Sequence, residues 1–118
     1  MKITAKEAGE LFAQSMMART DVIERVKRDL YARIRAAATK FRAIGLSFNV
    51  CGDDQISYVI AHPETMRERF AYNWHEGRLV IDINKNELET ALDELRSLGF
   101  EVKKKSCVPF YCEFDIRW

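Results

Sequence analysis

The stretch that decides the fold is residues 22–50, VIERVKRDLYARIRAAATKFRAIGLSFNV, where the spacing of the apolar residues changes. In its first part they recur at steps of mostly three and four, the period of an amphipathic helix. After Gly45 the step becomes two, with Leu46, Phe48 and Val50 separated by polar residues, which is typical of a half-buried strand. This pattern predicts a helix that ends at Gly45 and a strand that follows it.

The helical pattern extends back almost to the start of the chain. A Thr-x-x-Glu capping box at Thr4 predicts where the first helix begins. No proline interrupts the pattern before Gly45, so we predict a helical region over residues 3–44. Thr20 and Asp21 can cap a second helix. The region is therefore either one long helix or two helices joined near those two residues.

Turn residues then divide two predicted hairpins. Residues 52–55, Gly-Asp-Asp-Gln, separate the strand after Gly45 from an extended pattern over residues 56–61. Residues 70–75 alternate aromatic with small or polar side chains, and residues 78–83 continue the extended pattern beyond a Glu-Gly turn. We therefore predict two β-hairpins in succession.

A narrow apolar stripe predicts a helix over residues 86–98. Asn86 and Glu89 repeat the capping spacing, and Gly99 supplies the stop. An extended pattern follows, with a break at residues 106–109. The predicted core face of the last strand consists of Phe110, Cys112, Phe114, Ile116 and Trp118.

These elements predict the fold class α+β, with a long N-terminal helical region and a second helix packed on one face of a mostly antiparallel sheet. The chain has 118 residues, of which 47% are hydrophobic, enough for one core but not for two. We expect a single domain over residues 1–118, divided into a helical region (1–45) and a sheet region with its helix (46–118).

Composition also bears on the setting of the protein. A net charge of +1 removes any attraction of the whole molecule to polyanions. Three cysteines, an odd number, make no disulfide framework and favour a reducing cytoplasm. The charged N-terminus and the absence of a long apolar run indicate neither export nor membrane insertion.

The charges are unevenly distributed, with a local excess of +5 over residues 19–42 and −6 over residues 43–102. On a helix, Arg28, Arg35 and Arg42 fall opposite the apolar stripe at steps of about 10 Å, a spacing that suits a row of phosphates. Asp21 and Glu24 on the same side favour instead a solvated outer face. The candidate nucleic-acid contacts are Arg25, Arg28, Arg35 and Arg42, supplemented by Lys103, Lys104 and Lys105.

Aromatic residues on the predicted strands are a second set of candidate contacts. Tyr111 is predicted on the face opposite Cys112 and Phe114. Aromatic side chains on an open sheet face stack bases or dock a partner, although they also complete cores. The candidates for binding are Tyr72, Trp74 and Tyr111.

No motif for catalysis, cofactor binding or metal binding stands out. The chain lacks a glycine-rich phosphate loop, a His-Glu-x-x-His pair and a serine elbow. The spacing of its cysteines and histidines matches no compact zinc-ligand pair. Cys112 is most simply a small core residue. We therefore expect a protein that is not an enzyme and that carries no cofactor and no metal.

The length of the first helical region predicts self-association. One continuous helix over residues 4–44 would be about 60 Å long, more than the width of a globule of this size. Its exposed apolar residues would then need a second subunit. If the helix is broken at Thr20, the N-terminal part can fold back instead. The predicted oligomer contacts are Leu11, Phe12, Met16 and Met17.

Both ends of the chain carry a family resemblance. The opening MKITAKEA, the segment ELRSLGFEV (residues 94–102) and the terminal FYCEFDIRW (residues 110–118) together resemble short uncharacterised accessory proteins of tailed bacteriophages. The resemblance implies a helix-plus-sheet protein made in the infected bacterial cytoplasm. We accordingly expect a protein that binds a host or phage protein. Alternatives are a nucleic-acid-binding module and a small virion or assembly component.

Overall fold

The computed structural model describes residues 2–15, 17–51, 54–61, 73–75 and 78–118. The described residues form three helices and six strands. In chain order these are α1 (Ala5–Ser15), α2 (Thr20–Ala38), β1 (Ala43–Cys51), β2 (Gln55–Ile60), β3 (Asn73–His75), β4 (Arg78–Asn84), α3 (Lys85–Ser97), β5 (Glu101–Val108) and β6 (Tyr111–Arg117).

The six strands form one sheet in the order β3-β4-β2-β1-β6-β5, and every neighbouring pair is antiparallel. Alternate residues of the strands share one buried core with the apolar faces of α2 and α3. The α+β class predicted from the sequence is therefore confirmed. The most completely buried core residues include Val26, Leu30, Ile83, Leu92 and Ile116.

The N-terminal helical region consists of two helices, α1 and α2. Of the two arrangements that the sequence allows, the one with a joint near Thr20 is therefore confirmed. The prediction that helix continues to Gly45 is wrong, because α2 ends at Ala38 and Gly45 lies inside β1. Residues from Ala43 onward pair with β6, and these inter-strand hydrogen bonds replace the helical ones. The predicted cap also differs: α2 begins at Thr20, but its N-cap is Arg19, which makes no side-chain capping bond.

Helix α3 confirms the predicted helix but starts from a different capping box. Asn84 accepts a hydrogen bond from the Glu87 amide, and Glu87 accepts one from the Asn84 amide. Asn84 is buried and also donates to the carbonyl of Met17, a tertiary contact with a distant part of the chain. Gly99 ends the segment with a φ of +97°, a conformation that glycine adopts readily.

The predicted hairpins are confirmed within the described residues, as β1–β2 and β3–β4. The predicted strand residues 70–72 lie outside the described ones. The last break is shorter than expected, because β5 runs to Val108 and only Pro109 and Phe110 form the turn. Phe110 was predicted in the core but is 71% exposed at this turn, whereas Phe114 is buried as predicted.

Candidate interaction surface

The N-terminal helix α1, hereafter the arm, is the least packed element of the fold. It starts as predicted, because the Glu7 amide donates to the Thr4 hydroxyl at 3.1 Å. Residues 5–14 are all exposed. An isolated helix of 11 residues is only marginally stable in water, so a contact with another surface would stabilise the arm.

The arm is amphipathic. At about 100° per residue, Ala5, Ala8 and Phe12 lie on one side of the helix with Leu11 at its edge. Charged residues such as Glu10 lie on the other side. Leu11 and Phe12 are 56% and 53% exposed. The arm therefore presents an apolar stripe to solvent.

Glu87 fixes the point at which the arm leaves the domain. Arg19 donates to the Glu87 carboxylate through its backbone amide at 2.8 Å, its Nε at 2.8 Å and a terminal guanidinium nitrogen at 2.9 Å. The same guanidinium also donates to the carbonyl of Asp82. Burial by itself raises the pKa of Glu87, but hydrogen bonds from Arg19 and Asn84 outweigh it and hold the pKa below its ordinary value of 4.5. The start of α2 is thus tied to the start of α3.

Beside the arm lies an open groove of about 530 Å³, hereafter the arm groove. Phe12 of the arm lines it, together with apolar side chains from the sheet and from α3. Lys85 and Asp54 on its rim form an ion pair at 3.8 Å, and Lys104 and Glu89 add one further charge of each sign. The apolar lining residues from the strands and α3 include Val50, Ile56, Leu88, Val108 and Phe114.

A disulfide between Cys107 and Cys112 forms part of the groove wall. Cys112 packs against the core, as expected, but it also forms a disulfide, which the odd number of cysteines did not predict. These residues are direct partners in the β5–β6 register, and the short turn brings their Cα atoms to 4.3 Å. The sequence signal for this pairing was the symmetric placement of the two cysteines about the Pro-Phe turn. Cys51 is an exposed free thiol.

The predicted basic row is only partly formed. Arg28 and Arg35 are exposed on α2 as expected, but Arg25 is 1% exposed and lies beside the buried Asp29. The buried sector of α2 is wider than its apolar residues indicate. Arg42 follows the end of α2 rather than lying on it, and donates weakly to the carbonyl of Trp118 at 3.4 Å.

The supplementary lysines of β5 are partly engaged with carboxylates. Lys103 forms an ion pair with Glu101 at 2.8 Å, and Lys105 forms one with Asp115 at 3.4 Å. The positive charge on this strand is thus partly balanced locally. Lys104 lines the arm groove instead.

The structure places the predicted aromatic and oligomer contacts differently. Tyr111 is half-buried, and its hydroxyl donates to Glu113 at 2.8 Å on the sheet face opposite Cys112. Met17 is 66% exposed just after the arm. Two predicted contacts, Tyr72 and Met16, lie outside the described residues, and of Trp74 the structure describes only its place in β3.

Sequence reasoning missed a buried polar cluster between α2 and β2. Asp29 accepts hydrogen bonds from the Tyr58 hydroxyl at 2.7 Å, the Ala61 amide at 3.0 Å and Arg33 Nε at 2.8 Å. Arg33 also donates to the carbonyl of Val59 and lies over the Tyr58 ring. Burial, together with the Asp29 carboxylate, raises the pKa of Tyr58 well above its usual value. The cluster ties the helix to the strand.

Comparison of the chain with models of protein families, with curated proteins and with solved structures found no match. Among the described residues, no helix is both long and apolar enough to cross a membrane. The features of the structure that bear on function are the exposed amphipathic arm and the apolar arm groove beside it.

Proposed function

We propose that this protein is a non-enzymatic accessory protein of a tailed bacteriophage that binds a host or phage protein through the arm and the arm groove. The observation that supports this is an amphipathic helix, exposed along its length, beside an open apolar groove. Burying a phenylalanine or leucine side chain stabilises a complex by about 1.5–3 kcal/mol. Leu11 and Phe12 are the natural anchors of such a contact.

The chemistry of this surface favours a protein partner over a nucleic acid. Its centre is apolar, and its rim carries carboxylates, Asp54 and Glu89, beside the lysines Lys85 and Lys104. An apolar centre with a mixed polar rim is typical of a protein interface, whereas a phosphate-binding face is rich in basic residues.

One observation supports an infected bacterial cytoplasm as the setting: the terminal segments of the chain resemble phage accessory proteins. The Cys107–Cys112 disulfide fits a reducing compartment only as a reversible bond, because stable disulfides are rare there.

One candidate partner is a second copy of the same chain, which would make the protein a homo-oligomer. The break between α1 and α2 removes the argument from a single long helix, but the exposed stripe on the arm still favours self-association. Light scattering at micromolar concentration tests this, since a homo-oligomer has a multiple of the 13.8 kDa chain mass. Cosedimentation with phage particles would instead indicate a virion or assembly component.

The first prediction concerns the arm. Phe12→Asp is expected to weaken partner retention by roughly 10–100-fold, because it places a carboxylate where the partner buries an aromatic ring. Retention is measured with the immobilised protein and infected or uninfected lysate, and the retained protein is then purified and titrated. Gln14→Asp, the same new charge on the opposite side of the arm, is the matched control.

Both variants are expected to unfold within about 1 kcal/mol of the wild type, because each side chain is exposed. Equal retention by Phe12→Asp and wild type would contradict binding through the arm. A loss shared by both variants would show a general effect of negative charge and would equally contradict it.

The second prediction separates protein from nucleic acid. Changing Arg28, Arg35 and Arg42 together to glutamate is expected to leave retention unchanged, as is prior treatment of the lysate with nuclease. Binding through phosphates releases counterions and weakens steeply with salt, whereas an apolar contact changes little. Retention that disappears after nuclease, falls steeply with salt and is lost in the triple variant would replace the protein-binding proposal by the nucleic-acid one.

A further inference from the structure

The disulfide that lines the arm groove joins the edge strand β5 to β6. Strand β6 is held independently by β1, with seven register pairs between Ala43–Asn49 and Tyr111–Arg117. Among the described strands, β5 lies at the edge of the sheet and pairs only with β6. Its residues 103–108 are all exposed, and its register shifts between Lys104 and Ser106. The cross-link therefore secures only the end of an edge strand.

The bond is also open to small molecules and closes a short loop. Cys107 is exposed, and only four residues lie between it and Cys112. A cross-link over so short a loop restricts the unfolded chain less than one that closes a long loop. Accessible disulfides are typically the ones that exchange with small thiols, whereas structural disulfides resist reduction.

We propose that Cys107 and Cys112 form a reversible thiol–disulfide site that exchanges with small-molecule thiols of the glutathione class, and that its oxidation state sets the shape of the arm groove. The exchange itself goes beyond partner binding, while its effect on docking rests on the proposed function. The disulfide, Val108 and Pro109 all line the groove. Reduction of the disulfide therefore alters the groove wall that the partner contacts.

The exchange balances as two thiol–disulfide steps. A small-molecule thiolate attacks the exposed Cys107 Sγ, the Cys107–Cys112 bond breaks, and Cys112 leaves as a thiolate that takes up a proton. A second small-molecule thiolate then attacks the mixed disulfide and releases Cys107, which is also protonated. The sum is a protein disulfide plus two small thiols giving a protein dithiol plus one small-molecule disulfide. Two electrons pass to the protein, and the reverse reaction reoxidises it.

The test uses the full chain carrying Cys51→Ser, so that only this pair reports. The protein is equilibrated with mixtures of reduced and oxidised glutathione, quenched by alkylation and weighed by mass spectrometry. We expect complete and reversible conversion between the disulfide and the doubly alkylated dithiol within this range of mixtures. A disulfide that persists in reduced glutathione alone, or a dithiol that does not reoxidise, would overturn the proposal.

Amide hydrogen exchange tests the structural consequence. In the dithiol state, the amides of residues 103–108 that donate to β6 are expected to exchange at least about tenfold faster, since local opening of an edge strand controls their protection. The amides of residues 111–117 that donate to β1 should change little, because that pairing does not involve β5. Equal protection of β5 in both states would refute the effect on the groove.

The double variant Cys107→Ser and Cys112→Ser is the control for both measurements, and should not respond to glutathione. Partner retention by the wild type is expected to differ between the two oxidation states, while retention by the double variant does not. Mass spectrometry of the thiols needs no partner, so failure of the exchange condemns this inference alone. Failure of the Phe12→Asp experiment would overturn the proposed function and the effect of the disulfide on docking, but not the thiol–disulfide exchange itself.

Discussion

Glu87→Ala is expected to lower the free energy of unfolding by about 3–5 kcal/mol, because the backbone amides of Arg19 and Asn84 lose their acceptor and each unsatisfied donor costs about 1–3 kcal/mol. The Glu87 side chain is completely buried. It accepts hydrogen bonds from both Arg19 and Asn84. Its loss removes one of the two hydrogen bonds of the α3 capping box, the one from the Asn84 amide to the Glu87 carboxylate. It also removes the anchor of the arm. Urea denaturation at neutral pH measures the change.

Two variants delimit this effect. Arg19→Ala is expected to cost less, about 1–2 kcal/mol, since the Arg19 side chain is 51% exposed and solvent screens its charge. Glu89→Ala, two residues farther along α3 and about half exposed, should change stability by less than about 0.5 kcal/mol. A Glu87→Ala protein as stable as Glu89→Ala would contradict the anchoring role.

The same carboxylate predicts a dependence of stability on pH. The folded-state pKa of Glu87 is depressed, so its stabilising contribution is fully present above the unfolded-state value of about 4.5 and is lost as the pH falls through the folded-state value. The wild type should therefore lose more stability than Glu87→Ala between neutral and acidic pH. Parallel acid denaturation curves for the two proteins would count against this.

Asp29→Ala is expected to destabilise the fold by a similar amount, about 3–5 kcal/mol, because it leaves the charge of Arg33 without its carboxylate. The Tyr58 hydroxyl and the Ala61 amide lose their acceptor at the same time. Asp29 is fully buried between α2 and β2. Thermal and urea unfolding measure the loss.

Milder changes in this cluster should rank below Asp29→Ala. Tyr58→Phe removes one donor and retains the buried ring, so its expected effect is about 1 kcal/mol. Asp21→Ala, at an exposed position of the same helix, serves as the matched control and should be nearly neutral. If Asp29→Ala destabilises no more than Asp21→Ala, the cluster does not tie the helix to the strand.

Neither of these anchors has a distinct signature in the sequence. Glu87 and Asp29 look like ordinary helical carboxylates, and Asp29 pairs with Arg33 at a spacing common on exposed helix surfaces. Burial converts them into structural anchors, and burial depends on which strand the helix covers. The Asn84 cap is decided in the same way, because its contact with Met17 comes from a distant part of the chain.

Leu11 and Phe12 of the candidate surface are exposed on an amphipathic helix, although the sequence argument for their exposure assumed one continuous helix over residues 4–44. Their neighbour, the arm groove, was not predicted, because its walls come from strands and a helix far apart in the chain. The prediction that Arg25 is exposed was wrong for a related reason. The position of a residue around a helix shows which way its side chain points, but not how much of the helix surface the neighbouring elements cover.

The sequence by itself determined the alternation of helix and strand and the antiparallel hairpins, because hydrophobic period and turn chemistry are local properties. Tertiary structure decided the end of α2, the burial of Arg25 and the opposition of Cys107 and Cys112. Each of these depends on strand register or on packing between distant segments. Such contacts set the conformation and burial of a residue even where the neighbouring sequence favours another structure. For that reason Gly45, a helix stop by local pattern, lies in a strand that pairs with the end of the chain.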